Sequence, residues 1–525
     1  MNSNRKNLFL FITFCGITLI TFGQPYNIGN TSVTYNDPER NNRSIPTEIF
    51  YPANSSGTNV PLAEGEFPVI AFGHGFIMAY SAYQYIWEAL VPEGYILAFP
   101  TTEGSIIPAP SHLNFGLDLR FLINKLKAEG QNSGSLFYNH IADSSAIMGH
   151  SMGGGASFLA VENISYVSTM ITLAAAETNP SAINAATNVS IPTLVFSGSD
   201  DCVTPPPDHQ VPMHNSLGSD CKTFISITGG GHCYFADYNF NCSLGELFCN
   251  PAASISREVQ HSIVLTYLLP YLDFMLKGNQ QSWITFNNLL NNPVGITSLH
   301  ECNIHLLDLK LMLEGPFNGT NMNTELTGLP SFPLSQPYSQ SPWFYNGSEN
   351  VPTVPNDVVD WILVELRDAP DAASAISSTI IATKAGLLKN DGYHYRIDGT
   401  SFLCVRYSPI YSLFPVIYHR NHLSILSSTP LTNTDGLFSF DFTSGSNQAY
   451  GTDAQKDLGG FYGMIGGDAN ADGSINELDK ADVWESETGV AGYTGSDLNM
   501  NGQSNNQDKN DYWYPNTTYV SQVPD

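Results

Sequence analysis

Charge is scarce in this chain. Only 13% of its 525 residues are Asp, Glu, Lys or Arg, about half the ~25% of an average soluble protein. Bases are scarcer still, with 20 Lys and Arg facing 48 Asp and Glu for a formal charge of −28. So few cations cannot neutralise a run of phosphates, which excludes a general nucleic-acid binder. Long apolar runs are missing after residue 22, no C-x-x-C pair occurs, and no low-complexity tract interrupts the chain. These absences argue against a membrane span in a mature chain, cysteine-held zinc and wholesale disorder.

What is present points to export. Arg5 and Lys6 precede an apolar run from Leu8 to Phe22 that ends at Gly23-Gln24, the pattern of a secretory signal peptide over residues 1–23. A secreted or cell-surface protein is expected. Cys202, Cys221, Cys233, Cys242, Cys249, Cys302 and Cys404 would remain in it, in a setting where disulfides persist but whose pairing is open at this stage. At roughly 150 residues per domain the length suggests about three domains.

Within residues 24–278, β-rich apolar runs alternate with amphipathic segments, the rhythm of βαβ units. Strands are expected at 67–72, 95–99, 146–148, 191–197 and 224–228, and helices at 82–90, 117–126 and 256–276. The Asn-rich stretch after them reads as a linker over 279–302. Residues 303–460 change to short alternating runs, as in an antiparallel sandwich. From Gly466 onward Asp468, Asp479, Asp482 and Trp484 recur as Asp497, Asp508, Asp511 and Trp513, a repeat with a period of 29 residues.

Gly149-His150-Ser151-Met152-Gly153 fits G-x-S-x-G, directly after an apolar strand run and before Gly154-Gly155-Ala156. The pattern puts a serine on a tight strand-to-helix turn, where flanking glycines remove side chains that would clash. Ser151 is therefore the candidate nucleophile. Its hydroxyl needs an imidazole to take the proton and an acid to orient that imidazole, in the chain order Ser, Asp, His. The run 191–197 leads into Asp200 and Asp201, and the run 224–228 ends in Gly229-Gly230-Gly231-His232. Of 13 histidines, His232 follows a strand end in the right order, whereas His209, His214 and His261 read as solvated or locally bonded. Neighbours on an extended segment point opposite ways, so one of Asp200 and Asp201 meets the imidazole and the other caps a turn. Two backbone N–H groups should face the oxyanion. Met152 supplies one, and Phe76, in the turn Gly73-His74-Gly75-Phe76, is the candidate for the other.

Through residues 149–155, 191–205 and 228–233, the segment from about 45 to 278 resembles α/β-hydrolases of the dienelactone-hydrolase group. It is similar to the cutinase-like polyester hydrolases, poly(ethylene terephthalate) hydrolases included, and to chlorophyllase-like and platelet-activating-factor acetylhydrolase esterases. The resemblance implies an α/β fold with a mostly parallel sheet flanked by helices. It further implies an ester or polyester substrate, an acyl-enzyme on Ser151 and no catalytic cofactor. Polyester hydrolases of this type carry their acid four residues before the proline that is Pro205 here, which selects Asp201. They also join the acid and base loops by a disulfide, here Cys202–Cys233. The tryptophan with which they clamp an aromatic ring is missing from residues 173–178.

Asp468, Asn470, Asp472, Ser474, Asn476 and Asp479, with Gly473 at the sixth place, have the spacing of a calcium loop. Asp497, Asn499, Asn501, Gln503, Asn505 and Asp508, with Gly502, repeat it. Calcium takes about six to eight oxygens, which Asp, Asn and the backbone carbonyls of Ser474 and Gln503 would supply. Two structural calcium sites are expected in a small helical unit over 463–518. Having Asp at the twelfth place, the pair resembles a type I dockerin, which implies a cohesin-like or cell-surface partner; bracing of this end of the chain is the other reading. The module at 303–460 resembles β-rich C-terminal segments of large exported proteins and is expected to act as scaffold. A secreted serine ester hydrolase is the first reading of the whole chain, and an adhesive or scaffold protein with an inert hydrolase fold is the alternative.

Overall fold

The computed structural model describes residues 26–525; the expected signal peptide lies outside the described residues. In chain order the first part contains β1 (Asn27–Asp37), β2 (Arg43–Ala53), β3 (Gly57–Thr58), β4 (Phe67–Gly73), α1 (Gln84–Leu90), β5 (Ile96–Pro100), α2 (His112–Gly130), β6 (Ile141–His150) and α3 (Met152–Val161). It continues with β7 (Thr169–Leu173), α4 (Ala182–Ala186), β8 (Thr193–Gly198), α5 (Gln210–Ser216), β9 (Cys221–Ile227), α6 (Phe240–Gly245), α7 (Arg257–Lys277), α8 (Gln280–Asn291) and β10 (Ile296–Cys302). The strands make one sheet in the order β10-β9-β8-β7-β6-β4-β5-β2-β1-β3. From β9 to β5 all neighbours are parallel, and β2 and β10 close the two sides antiparallel.

Ile70 and Phe72 of β4 face a core shared with α1, α7 and α8, while Val69 and Ala71 face a second core with α2, α3 and α4. Burial on both faces is why these strands read as unbroken apolar runs instead of alternating ones. Ser111 and Ser256 cap α2 and α7 by accepting the N–H of Asn114 and Val259, as short polar side chains do at helix starts.

The expected linker at 279–302 is corrected by the structure. Asn279 caps α8, accepting the N–H of Gln281 and Ser282, and Trp283, Phe286 and Leu290 form its buried face. Those three stand at helical spacing, so an amphipathic helix was hidden under an Asn-rich composition. β10 then extends the large sheet. α8 is also the seam to the next module, because Gln280 exchanges two hydrogen bonds with the backbone of Phe402 and Asn288 and Asn291 donate to Asp435.

Residues 304–441 form a four-stranded and a five-stranded sheet. Leu307 and Leu309 of one meet Trp361, Leu363, Leu387, Ile417 and Ile425 of the other in a single core, the expected sandwich. One strand pair, Ile304–Lys310 with Leu437–Asp441, is parallel. The C-terminal repeat packs Ile475, Leu498 and Trp513 on Leu423 of this sandwich. Its halves clasp each other: Trp484 donates to the carbonyl of Asn505, and Trp513, 29 residues on, donates to that of Asn476. Among the described residues, no helix is long and apolar enough to cross a membrane.

Candidate active site

β6 ends at His150 and α3 begins at Met152, which leaves Ser151 alone in the turn with φ 55° and ψ −119°. Such a backbone is strained for a residue bearing a Cβ and marks a functional turn. A Cβ on Gly149 would lie 2.4 Å from the carbonyl oxygen of Gly153, and one on Gly153 2.1 Å from that of Gly73. The turn closes because both positions are glycine.

β8 and β9 deliver the other two groups to the same edge of the sheet. His232 directs Nε2 to Ser151 Oγ at 2.9 Å and Nδ1 to Asp201 Oδ2 at 2.8 Å. Ser151 is 8% exposed and His232 2%. Asp201 also accepts the N–H groups of Val203 and Thr204 and the hydroxyl of Thr204. Its neighbour Asp200 points away and accepts from Ser199 and Ser254. Gln260 on α7 holds the base loop by bonding both the N–H and the carbonyl of Gly231. His209 and His261 lie outside the chain of contacts, one accepting the N–H of Glu177 and the other stacked on Tyr85.

A second line of hydrogen bonds was not foreseen. Gly75 N–H donates to Tyr83 Oη at 2.8 Å, Tyr83 Oη meets His150 Nδ1 at 2.9 Å, and His150 Nε2 meets the carbonyl of His232 at 3.1 Å. A carbonyl can only accept, so Nε2 carries the proton and Nδ1 takes that of the tyrosine. Burial, with the neighbouring His232 and Arg257, holds the His150 pKa well below its ordinary value, consistent with that neutral form. The line ties the turn before Phe76 to the loop of His232. Gly73 pairs with Gly149 across β4 and β6, which brings the turn after β4 beside the turn that carries Ser151.

The expected Cys202–Cys233 bond is corrected. Cys202 pairs with Cys249 and Cys233 with Cys242, because residues 234–249 fold back between the acid and base loops and bring a partner for each. Cys221–Cys302 fastens β9 to β10, and Cys404 is a free thiol.

In the C-terminal repeat the two loops have matching hydrogen bonds. Asp468 accepts from Gly473 N–H and Asp497 from Gly502 N–H; Asp479 accepts from Asn470 and Asn476, and Asp508 from Asn499 and Asn505. Gly473 and Gly502 have φ 84° and 82°, the sharp bend a calcium loop requires at that place. Asp468 Oδ1 is buried without a partner. Burial and the nearby Asp479 and Asp472 push its carboxyl up to about 7, the strain a cation would relieve. No three His, Cys, Asp or Glu side chains converge as a metal cluster among the described residues. An ion here would therefore depend on Asn and carbonyl oxygens as well, and these donors fit calcium.

Residues 35–249 match the model of a family named PETase and described as PET hydrolase-like. The match lies on the large sheet and its helices and implies the α/β-hydrolase fold for them. A bis(hydroxyethyl) terephthalate hydrolase of Streptomyces coelicolor is 24% identical over 218 residues, which cover 40% of this chain. The chain spans 61% of the length of that relative.

Proposed function

We propose that residues 27–302 form a serine hydrolase of carboxylic esters. Ser151 Oγ attacks the ester carbonyl while His232 Nε2 takes its proton, and Asp201 stabilises the imidazolium. The amides of Phe76 and Met152 receive the oxyanion, a contribution on the order of 3 kcal/mol per donor in sites of this kind. His232 then protonates the leaving alcohol, and water activated by the same base releases the acid from Ser151. The observation that carries this reading is the unbroken contact from Ser151 Oγ through His232 to Asp201, at 2.9 and 2.8 Å on a strained elbow. The three disulfides support an exported protein, since such bonds persist in oxidising compartments. The test is turnover of p-nitrophenyl acetate and butyrate, and of bis(hydroxyethyl) terephthalate, by the wild type and by Ser151→Ala. Equal rates would reject the enzyme and favour the inert scaffold.

We further propose that the loops 468–479 and 497–508 each bind one structural calcium ion. The unpartnered buried oxygen of Asp468 and the paired hydrogen bonds support this reading. Bracing is the role assigned, because the repeat shares a core with the sandwich. A calorimetric titration of the chelated protein with calcium tests it, with two sites expected.

A further inference from the structure

Where the C-terminal repeat meets the sandwich, three side chains converge that the proposed chemistry does not use. Lys456 comes from the short strand Lys456–Asp457, Asn516 ends the one-turn helix Tyr514–Asn516, and Glu314 follows the strand Ile304–Lys310. Lys456 Nζ donates to Asn516 Oδ1 at 2.6 Å and stands 3.3 Å from Glu314 Oε1. Asn516 Nδ2 donates to Glu314 Oε2 at 2.6 Å and to the carbonyl of Gly466 at 2.8 Å. A carbonyl only accepts, so Gly466 fixes which end of the amide is nitrogen and leaves Oδ1 for the lysine.

Amine, amide and carboxyl thus close a ring largely shielded from water. Asn516 is fully buried, and the side chains of Glu314 and Lys456 are 10% and 29% exposed. Lys125, Lys222, Lys277 and Lys480 pair with acids but meet no side-chain amide. Among the described residues, Lys456 alone brings Nζ to both. The amide is also foreign to the repeat, because Asn516 stands where the first half has Glu487. Burial pushes the Glu314 carboxyl up, against the lowering pull of the Gly466 N–H and Lys456, which suits a group that holds a proton in passing.

We propose that Lys456 and Asn516 become joined by an isopeptide bond formed within the folded chain, with Glu314 as the proton carrier. Glu314 takes a proton from the Lys456 ammonium, and the freed lone pair adds to Asn516 Cγ, sending the carbonyl electrons to Oδ1. The acid then protonates Nδ2, and the Cγ–Nδ2 bond breaks as the carbonyl reforms. Nζ releases its second proton through Glu314 to the departing ammonia, which leaves as ammonium. One C–N bond replaces another, so the step needs no oxidant and no cofactor, and it is independent of the ester-hydrolase reading. The three disulfides all lie within residues 202–302, and beyond them the described chain has only the free thiol of Cys404. A bond between residues 60 apart in sequence would give the C-terminal side its own cross-link, fastening the repeat to the sandwich and restricting the unfolded chain as a disulfide does.

The test is mass spectrometry of the full wild-type chain, unfolded and reduced, with its first residue identified. The mass should fall short of the sequence by one ammonia. A tryptic digest should contain residues 421–480, uncut at Lys456, joined to the peptide that begins at Asn510. Lys456→Arg and Glu314→Gln should each abolish the joined peptide and restore the full mass. Wild-type protein that trypsin cuts at Lys456, with both peptides free, overturns the proposal whether or not the variants fold. Ammonia lost without the joined peptide overturns it equally, since a succinimide or a cyclised N-terminal glutamine loses the same mass. A joined peptide that persists in Glu314→Gln would overturn the part given to that carboxyl.

Discussion

Among the described residues two aspartate–histidine contacts are buried, one in the α/β sheet and one in the sandwich, and only the first ends on a serine hydroxyl. In the sandwich, Gly315 N–H meets His422 Nε2, His422 Nδ1 meets His419 Nδ1, and His419 Nε2 meets Asp360 at 3.2 Å. Both lines run through imidazole to carboxylate. They differ at their two ends. The far donor is the hydroxyl of Ser151 in one and a backbone amide in the other. At the near end Asp201 is met by neutral donors besides His232, whereas Asp360 already binds the Arg420 guanidinium at 2.9 Å and accepts from Tyr493. Burial pushes the Asp360 carboxyl up, but Arg420 and His419 outweigh it and hold it below the usual range. Burial lowers the His419 pKa. A second positive charge at His419 would therefore find its carboxylate already neutralised, while an imidazolium at His232 would find Asp201 free to pair. On the proposed mechanism, the difference means that a buried Asp–His contact can serve proton transfer only where its negative charge is uncommitted.

The sharpest way to break this contrast is to remove each end in turn. Ser151→Ala or His232→Ala should lower kcat/KM on p-nitrophenyl butyrate by about 10⁴ or more. His419→Ala should leave the value per folded molecule unchanged, and a comparable loss there would end the distinction. Next in size is Asp360→Asn, which strands the buried Arg420 without its counter-charge and should cost about 3–5 kcal/mol. Urea unfolding followed by Trp fluorescence checks it. A cost below about 1 kcal/mol, the usual value of an exposed pair, would show that Arg420 finds other partners.

Calcium should act on the sandwich side only. Asn421, between His419 and His422, donates to the carbonyls of Gly495 and Asp497, and Asp497 opens the second loop. An ion bound there at a hundred times its dissociation constant adds about 2.7 kcal/mol. Chelation should therefore lower the melting transition of the C-terminal half and leave p-nitrophenyl ester turnover intact at 25 °C. A melting curve indifferent to calcium would remove the bracing role.

The parts of this arrangement legible in the sequence were those where neighbouring residues fix the outcome. The elbow at Ser151 and the strand ends before Asp201 and His232 announce themselves by an apolar run stopping at glycine or aspartate. α8 was obscured because its three buried apolar residues are spaced among Asn and Gln, so composition outweighed periodicity. Two of the three disulfides depended on where residues 234–249 fold, which no spacing encodes. Long-range contacts were equally silent: Tyr83 lies 67 residues from His150, and His419 lies 59 from Asp360. Thr204 stood within a recognised stretch, yet nothing local marks a threonine that donates to Asp201 and also touches His232 Nδ1 at 3.0 Å.

The smallest expected effect also sharpens the comparison, because a tyrosine hydroxyl enters the hydrogen-bonded network of each half. Tyr493 donates straight to Asp360, so Tyr493→Phe should lower stability by about 1–2 kcal/mol with no change in turnover. Tyr83 instead stands between Gly75 N–H and His150, and so between the turn before Phe76 and the loop of His232. Tyr83→Phe leaves both of those groups buried without a partner, which should cost about 1–3 kcal/mol. It should also lower kcat about tenfold with little change in KM, since an oxyanion donor set off its position fails the transition state more than the bound ester. A Tyr83→Phe protein that melts earlier but keeps its kcat would reduce the His150 line to the status of the Asp360 network, a device for holding loops together and nothing more.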